Sequence, residues 1–166
     1  MFINRVKSVK IFFISIILFL IGCNSESSSD ILDKSKNLIN EQKYSEAILE
    51  LNSLVKKYPD SIEAPEAQYL IADTYAFLNN YDDAISAYKL VVKEYISSKS
   101  AINAQFMLGY IYANFLFNYD LAKKEYEIFL EKFSSKADTN LIESVKFELE
   151  NLGKDLKDIP ELKGIS

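Results

Sequence analysis

The sequence predicts an all-α chain: about three stacked pairs of antiparallel helices, closed by one further helix and preceded by an export segment. Three observations carry this. A unit of 37 to 38 residues recurs three times between residues 30 and 136. Within each unit apolar residues return every three or four positions, the spacing of one helix face rather than of a strand. A last segment, LIESVKFELENLG from Leu141, carries a single narrow apolar stripe, as a terminal helix must if one side faces water.

The first element is not part of the fold. Arg5, Lys7 and Lys10 precede IFFISIILFLI, residues 11–21, which is apolar except for Ser15. A basic start and a short apolar core have the layout of a secretory signal. A bilayer-spanning helix needs about 20 apolar residues, and the polar run NSESSSD follows too soon. Leu20, Ile21, Gly22 and Cys23 then resemble the lipobox of bacterial lipoproteins. That resemblance implies cleavage before Cys23, a covalent lipid (palmitate among its chains) on its sulfur, and no other cofactor. A thiolate is a strong nucleophile suited to forming the thioether. Residues 1–22 are thus expected to be a lipoprotein signal peptide, and 23–29 a lipidated cysteine with a short linker. Asn24 rather than aspartate after the cysteine leans, by the same resemblance, toward the periplasmic face of the outer membrane. Six extended residues reach about 20 Å, so the domain is expected to sit against its membrane.

Composition narrows the classes of function. The 166 residues carry a formal net charge of −5. Removing residues 1–22 takes away three cations and no acid, leaving −8. An acidic domain is a poor match for nucleic acid, which selects basic patches, or for anionic lipid headgroups. There is no histidine, and no arginine follows Arg5. The usual general base, the commonest zinc ligand and the bidentate phosphate clamp are therefore missing. One cysteine cannot form an internal disulfide. The chain reads as a non-enzyme with no metal site.

The repeats follow in order. KYSEAILELNSLVKKYPDS from Lys43, NYDDAISAYKLVVKEYISS from Asn80 and NYDLAKKEYEIFLEKFSSK from Asn118 align on Tyr44, Tyr81 and Tyr119, on Ala47, Ala84 and Ala122, and on Tyr58, Tyr95 and Phe133. Each follows a second helical pattern. In APEAQYLIADTYAFL the apolar face runs through Ala67, Leu70, Ile71 and Leu78; in AINAQFMLGYIYANFLF it runs through Ala104, Met107, Leu108 and Ile111. The leading helix of the first unit starts near Asp30, a plausible N-cap. The units span about 30–61, 64–98 and 101–136, the capping helix 140–152, and the tail 153–166, with Gly153 as the stop signal.

At these positions the chain resembles the tetratricopeptide repeat. Its small and large sites are Ser35, Leu38, Ala47 and Leu51 in the first unit. They are Ala72, Tyr75, Ala84 and Tyr88 in the second, and Gly109, Tyr112, Ala122 and Tyr126 in the third. Small residues let paired helices close and large ones fill the space between them. The resemblance implies a right-handed superhelix over residues 30–152, and a concave groove that takes a protein or peptide partner. The groove-facing positions it assigns are Leu32, Lys36, Ile39, Asn40, Glu66, Tyr69, Asp73, Phe77, Asn103, Phe106, Tyr110 and Asn114. Asp73 and Glu66 are two helical turns apart, roughly 10 Å. They read as a solvated acidic wall rather than a catalytic pair. YPDSIEAPEA, together with the lipobox, is similar to repeat lipoproteins of the bacterial envelope. Those of the β-barrel assembly machinery and of the Tol–Pal system are examples, and neither is assigned. The expected function is a lipid-anchored scaffold in an envelope complex, outer-membrane protein assembly among the candidates. Binding of cell-wall carbohydrate through tyrosine platforms, or a role in a Tol–Pal-like system, is the alternative.

Overall fold

A computed structural model describes residues 26–155 and 157. The signal segment, Cys23 and most of the tail lie outside the described residues. Among the described residues seven helices follow one another: α1 (Ser28–Asn40), α2 (Tyr44–Lys57), α3 (Ala64–Phe77), α4 (Tyr81–Glu94), α5 (Lys99–Asn114), α6 (Tyr119–Phe133) and α7 (Thr139–Asn151). Among the described residues there is no strand. Each helix packs on the next. The first members of the three pairs also touch across units, α1 on α3 and α3 on α5, while the second members make no comparable contact. The stack therefore bends with α1, α3 and α5 on its inner side.

Local chemistry sets each boundary. Helix α1 starts earlier than the sequence suggests. Its N-cap is Ser27, whose hydroxyl accepts from the Asp30 backbone N–H at 3.1 Å, and the Asp30 carboxylate accepts from the Ser27 N–H at 3.2 Å. Asp30 is thus the third helical residue of a capping box, not the cap itself. The Tyr58 hydroxyl also donates to the Glu26 carbonyl at 2.7 Å, tying the start of the chain to the end of α2. The stretch expected to be a free linker is correspondingly shorter. Ser98, Asn118 and Asp138 cap α5, α6 and α7 through their side chains. Pro65 occupies the first turn of α3, where no backbone donor is required.

The turns within units repeat as faithfully as the helices. Gln42, Asn79 and Phe117 have φ of 61°, 59° and 51°. Each reverses the chain two residues before the tyrosine that opens the next helix. The Lys43 N–H donates to the Leu38 carbonyl at 2.8 Å, and Asn80 to Tyr75 at 2.9 Å, the long bond of a Schellman stop. In the third unit one extra residue is accommodated, and the bond spans Asn118 to Tyr112 at 2.8 Å. After α7 the chain turns differently: Leu152 leaves the helix with ψ of 122°, Gly153 follows with φ of 74°, and the Lys154 N–H donates to the Asn151 carbonyl at 3.0 Å.

The core is built from the small and large sites of the repeat. Ala47, Leu51, Ala72, Ala84, Tyr88, Ala122 and Tyr126 are fully buried. Each large aliphatic or aromatic side chain placed there contributes roughly 1.5–3 kcal/mol of transfer free energy. Gly109 is required by contact: a Cβ on it would sit 2.9 Å from Cγ of the Tyr126 ring and closer to two further ring carbons. Gln105 bridges α5 to α6, donating to the Glu125 carbonyl at 2.9 Å and to its carboxylate at 2.8 Å. Val145 on α7 is fully buried, with Ile142, Leu149 and Leu152 packed around the same core.

Candidate protein-binding surface

The inner face of the stack is formed by α1, α3 and α5, and its side chains fall into three groups. At the first, Lys36 of α1 pairs with Glu66 of α3 at 2.6 Å. Both side chains are about half exposed, so this ion pair is worth at most about 1 kcal/mol. It nonetheless neutralises Glu66, which is therefore not part of an acidic wall.

The second group centres on Asp73. Its carboxylate accepts the hydroxyl of Tyr88, from behind on α4, and the Tyr69 side chain lies beside it. The Tyr69 and Tyr88 rings meet edge to face, 5.5 Å apart. Burial raises the Asp73 pKa above its usual range, and the two tyrosine hydroxyls oppose that rise. Burial, reinforced by the carboxylate charge, also raises both phenols. Asp73 is thus a held, half-buried acceptor rather than a solvated charge. Beside it, Ile39, Tyr44, Leu70, Asp73, Thr74 and Phe77 line a mainly apolar cleft of about 300 Å³.

The third group is aromatic. Phe106 stacks on Tyr110 at 5.9 Å and leans on Tyr126 at 6.1 Å. Here Tyr110 stands where the second unit has Asp73. Tyr126, the counterpart of Tyr88, consequently finds no acceptor among the described residues: its ring is fully buried and its hydroxyl has no hydrogen-bond partner there. Burial raises its pKa, with the Glu148 carboxylate adding to the effect. Glu148 of α7 is itself raised by burial, while the Asn114 side chain beside it works in the opposite direction.

The positions expected to face the groove divide accordingly. Lys36, Glu66, Tyr69, Asp73, Phe106 and Tyr110 form the three groups. Asn40 and Phe77 are exposed at the turn end, where Phe77 packs on Tyr44 at 5.1 Å, and Ile39 lies beneath them in the cleft. Asn114 marks the α5–α7 junction. Asn103 borders a separate cleft with Ile102 and Leu141. Leu32 is a correction: it is buried in the core. It occupies the position of Tyr69 and Phe106, which also lean on the core, and a leucine is too short to emerge from it. The sequence reading did not single out Phe115, which stacks on Tyr81 at 4.8 Å. A 38-residue echo of Phe77 was the available signal.

Among the described residues no group of His, Cys, Asp and Glu could hold a metal ion. None of the described helices is long and apolar enough to cross a membrane.

Family models described as "Tetratricopeptide repeat" match residues 33–61, 65–95 and 103–135, together more than half of the chain. The chain belongs to the tetratricopeptide-repeat family. No curated protein matches it in sequence. The family and the stacked helix pairs together define the class as a protein-interaction scaffold.

Proposed function

We propose that this chain is a non-enzymatic scaffold, anchored by lipid on Cys23 to the periplasmic face of the outer membrane, that captures a partner peptide or helix on its inner face. The observation that carries the binding part is the half-buried set of Tyr69 on α3 and Phe106 and Tyr110 on α5, with the Asp73 acceptor one turn after Tyr69. Rigid aromatic side chains lose little entropy on binding and make good anchors. An acceptor already held by the Tyr88 phenol presents its remaining lone pairs to a peptide N–H or a cation. Anchoring is supported by the lipobox-like sequence alone. It would raise the local concentration of a membrane-bound partner without any added contact. Assembly of outer-membrane proteins is the pathway we favour.

The test is co-purification from the native host after mild solubilisation. The parent chain, Cys23→Ala and Tyr110→Ala are compared, with helicity checked by circular dichroism. Enrichment of an outer-membrane barrel or its assembly factors, reduced in both variants, supports the reading. An unchanged set of partners in Tyr110→Ala refutes the groove. An unchanged set in Cys23→Ala refutes the anchor.

A further inference from the structure

The turn edge of the stack carries an aromatic ladder. In the first two units the tyrosine that opens the second helix packs on the residue two before the left-handed turn of the next unit. Tyr44 meets Phe77 with ring centroids 5.1 Å apart, and Tyr81 stacks on Phe115 at 4.8 Å. The third tyrosine, Tyr119, is in the same register, two residues after Phe117. Its counterpart, two residues before Gly153, is Asn151, which has no ring. The Asn151 amide lines the space instead, donating to the Phe147 carbonyl at 2.9 Å and accepting from Lys154 at 3.1 Å. That space is a slot of about 280 Å³, lined by Phe117, Tyr119, Phe147, Leu152, Glu148 and by Lys154, whose ammonium is held by Asn151. Tyr119 already lies over the bare Gly153 backbone, 3.3 Å from where a Cβ would be, so its ring is held in place.

We infer that this slot receives a phenylalanine from a partner polypeptide, next to a lysine or arginine that reaches Glu148. The two preceding positions of the ladder identify the occupant, since each is filled by a phenylalanine set against the same tyrosine. Glu148 supplies the charge preference, and the net charge of −5 favours a cationic segment over long range. The inference rests on the reading of the chain as a scaffold but uses the turn edge beyond the inner face, meeting it only at Asn114 and Glu148.

Titration of the isotopically labelled full chain with N-acetyl-Phe-Lys-amide, followed by NMR, tests it. The amides of residues 117–119 and 147–154 should shift saturably, and N-acetyl-Ala-Lys-amide should bind at least tenfold more weakly. Asn151→Phe supplies the missing ring from within, so it should abolish these shifts while melting no lower than the parent. Should that variant fail to fold, Tyr119→Ala removes the stacking face and should abolish them instead. Absence of saturable shifts, an equal response to the alanine probe, or binding that survives the slot variant would each overturn the inference. Shifts confined to Tyr69, Asp73 and Tyr110 would likewise overturn it while leaving the inner-face reading standing.

Discussion

Tyr88 and Tyr126 occupy the same site of successive repeats, 38 residues apart and both fully buried, yet removing their hydroxyls should move stability in opposite directions. Tyr88 donates to the Asp73 carboxylate. A hydrogen bond to a charged acceptor is worth about 1.5–3 kcal/mol, and its loss leaves a half-buried carboxylate short of a donor. Tyr88→Phe should therefore cost about 2 kcal/mol. Tyr126 has no partner for its hydroxyl among the described residues. An unsatisfied buried polar group costs roughly 1–3 kcal/mol, and deleting it recovers most of that, less a small cavity term. Tyr126→Phe should stabilise by about 1 kcal/mol. Urea unfolding of both variants at neutral pH, followed by helical circular dichroism, gives the comparison, with a separation of about 3 kcal/mol expected between them. Equal destabilisation by the two would refute the reasoning. It would mean that the Tyr126 hydroxyl has an acceptor in solution, with Glu148 the first candidate.

Three further predictions concern the same frame. Gly109→Ala gains about 1 kcal/mol of helix propensity but drives a methyl into a buried ring. Overpacking of about 1–3 kcal/mol should dominate, and adding Tyr126→Leu should restore much of the loss; a single variant as stable as the parent in urea would contradict this. Ser27→Ala breaks the capping box and should cost about 1 kcal/mol, read as faster amide exchange in α1 with α5 unchanged. Asp73→Asn tests the raised carboxylate. A group whose pKa is higher in the folded than in the unfolded chain adds stability that is fully present below its unfolded value, near 3.8, and is lost as pH rises through the folded value. The variant should therefore gain on the parent as pH rises from 4 to 7, and a stability difference that is flat with pH would oppose the assignment.

Much of this fold is legible in the sequence because the repeat is written in side chains that only packing can explain. The Ala72–Tyr88 and Gly109–Tyr126 pairs mark where two helices close, and their spacing places both helices without reference to a structure. Capping was less legible. Ser27 and Asp30 share one capping box, and composition alone cannot say which of them is outside the helix. The inner face was the hardest to read. Helical periodicity puts Leu32, Tyr69 and Phe106 on one face, but whether a side chain emerges depends on its length over a core that only tertiary packing defines. Glu66 and Asp73 look alike as free carboxylates, yet Lys36 on another helix pairs with one and the Tyr88 hydroxyl holds the other. The ladder was present as a period of aromatics. It had no meaning until Tyr44 and Phe77, 33 residues apart, were seen in contact.

The most direct test of the scaffold reading is site-specific photo-crosslinking in the native host. A benzophenone side chain is placed either at Tyr110, on the inner face, or at Leu49, which is 71% exposed on α2. Capture of a discrete protein partner from position 110 and not from 49 is the predicted result. Equal capture at both positions, or capture from 49 alone, would contradict an inner-face binding site.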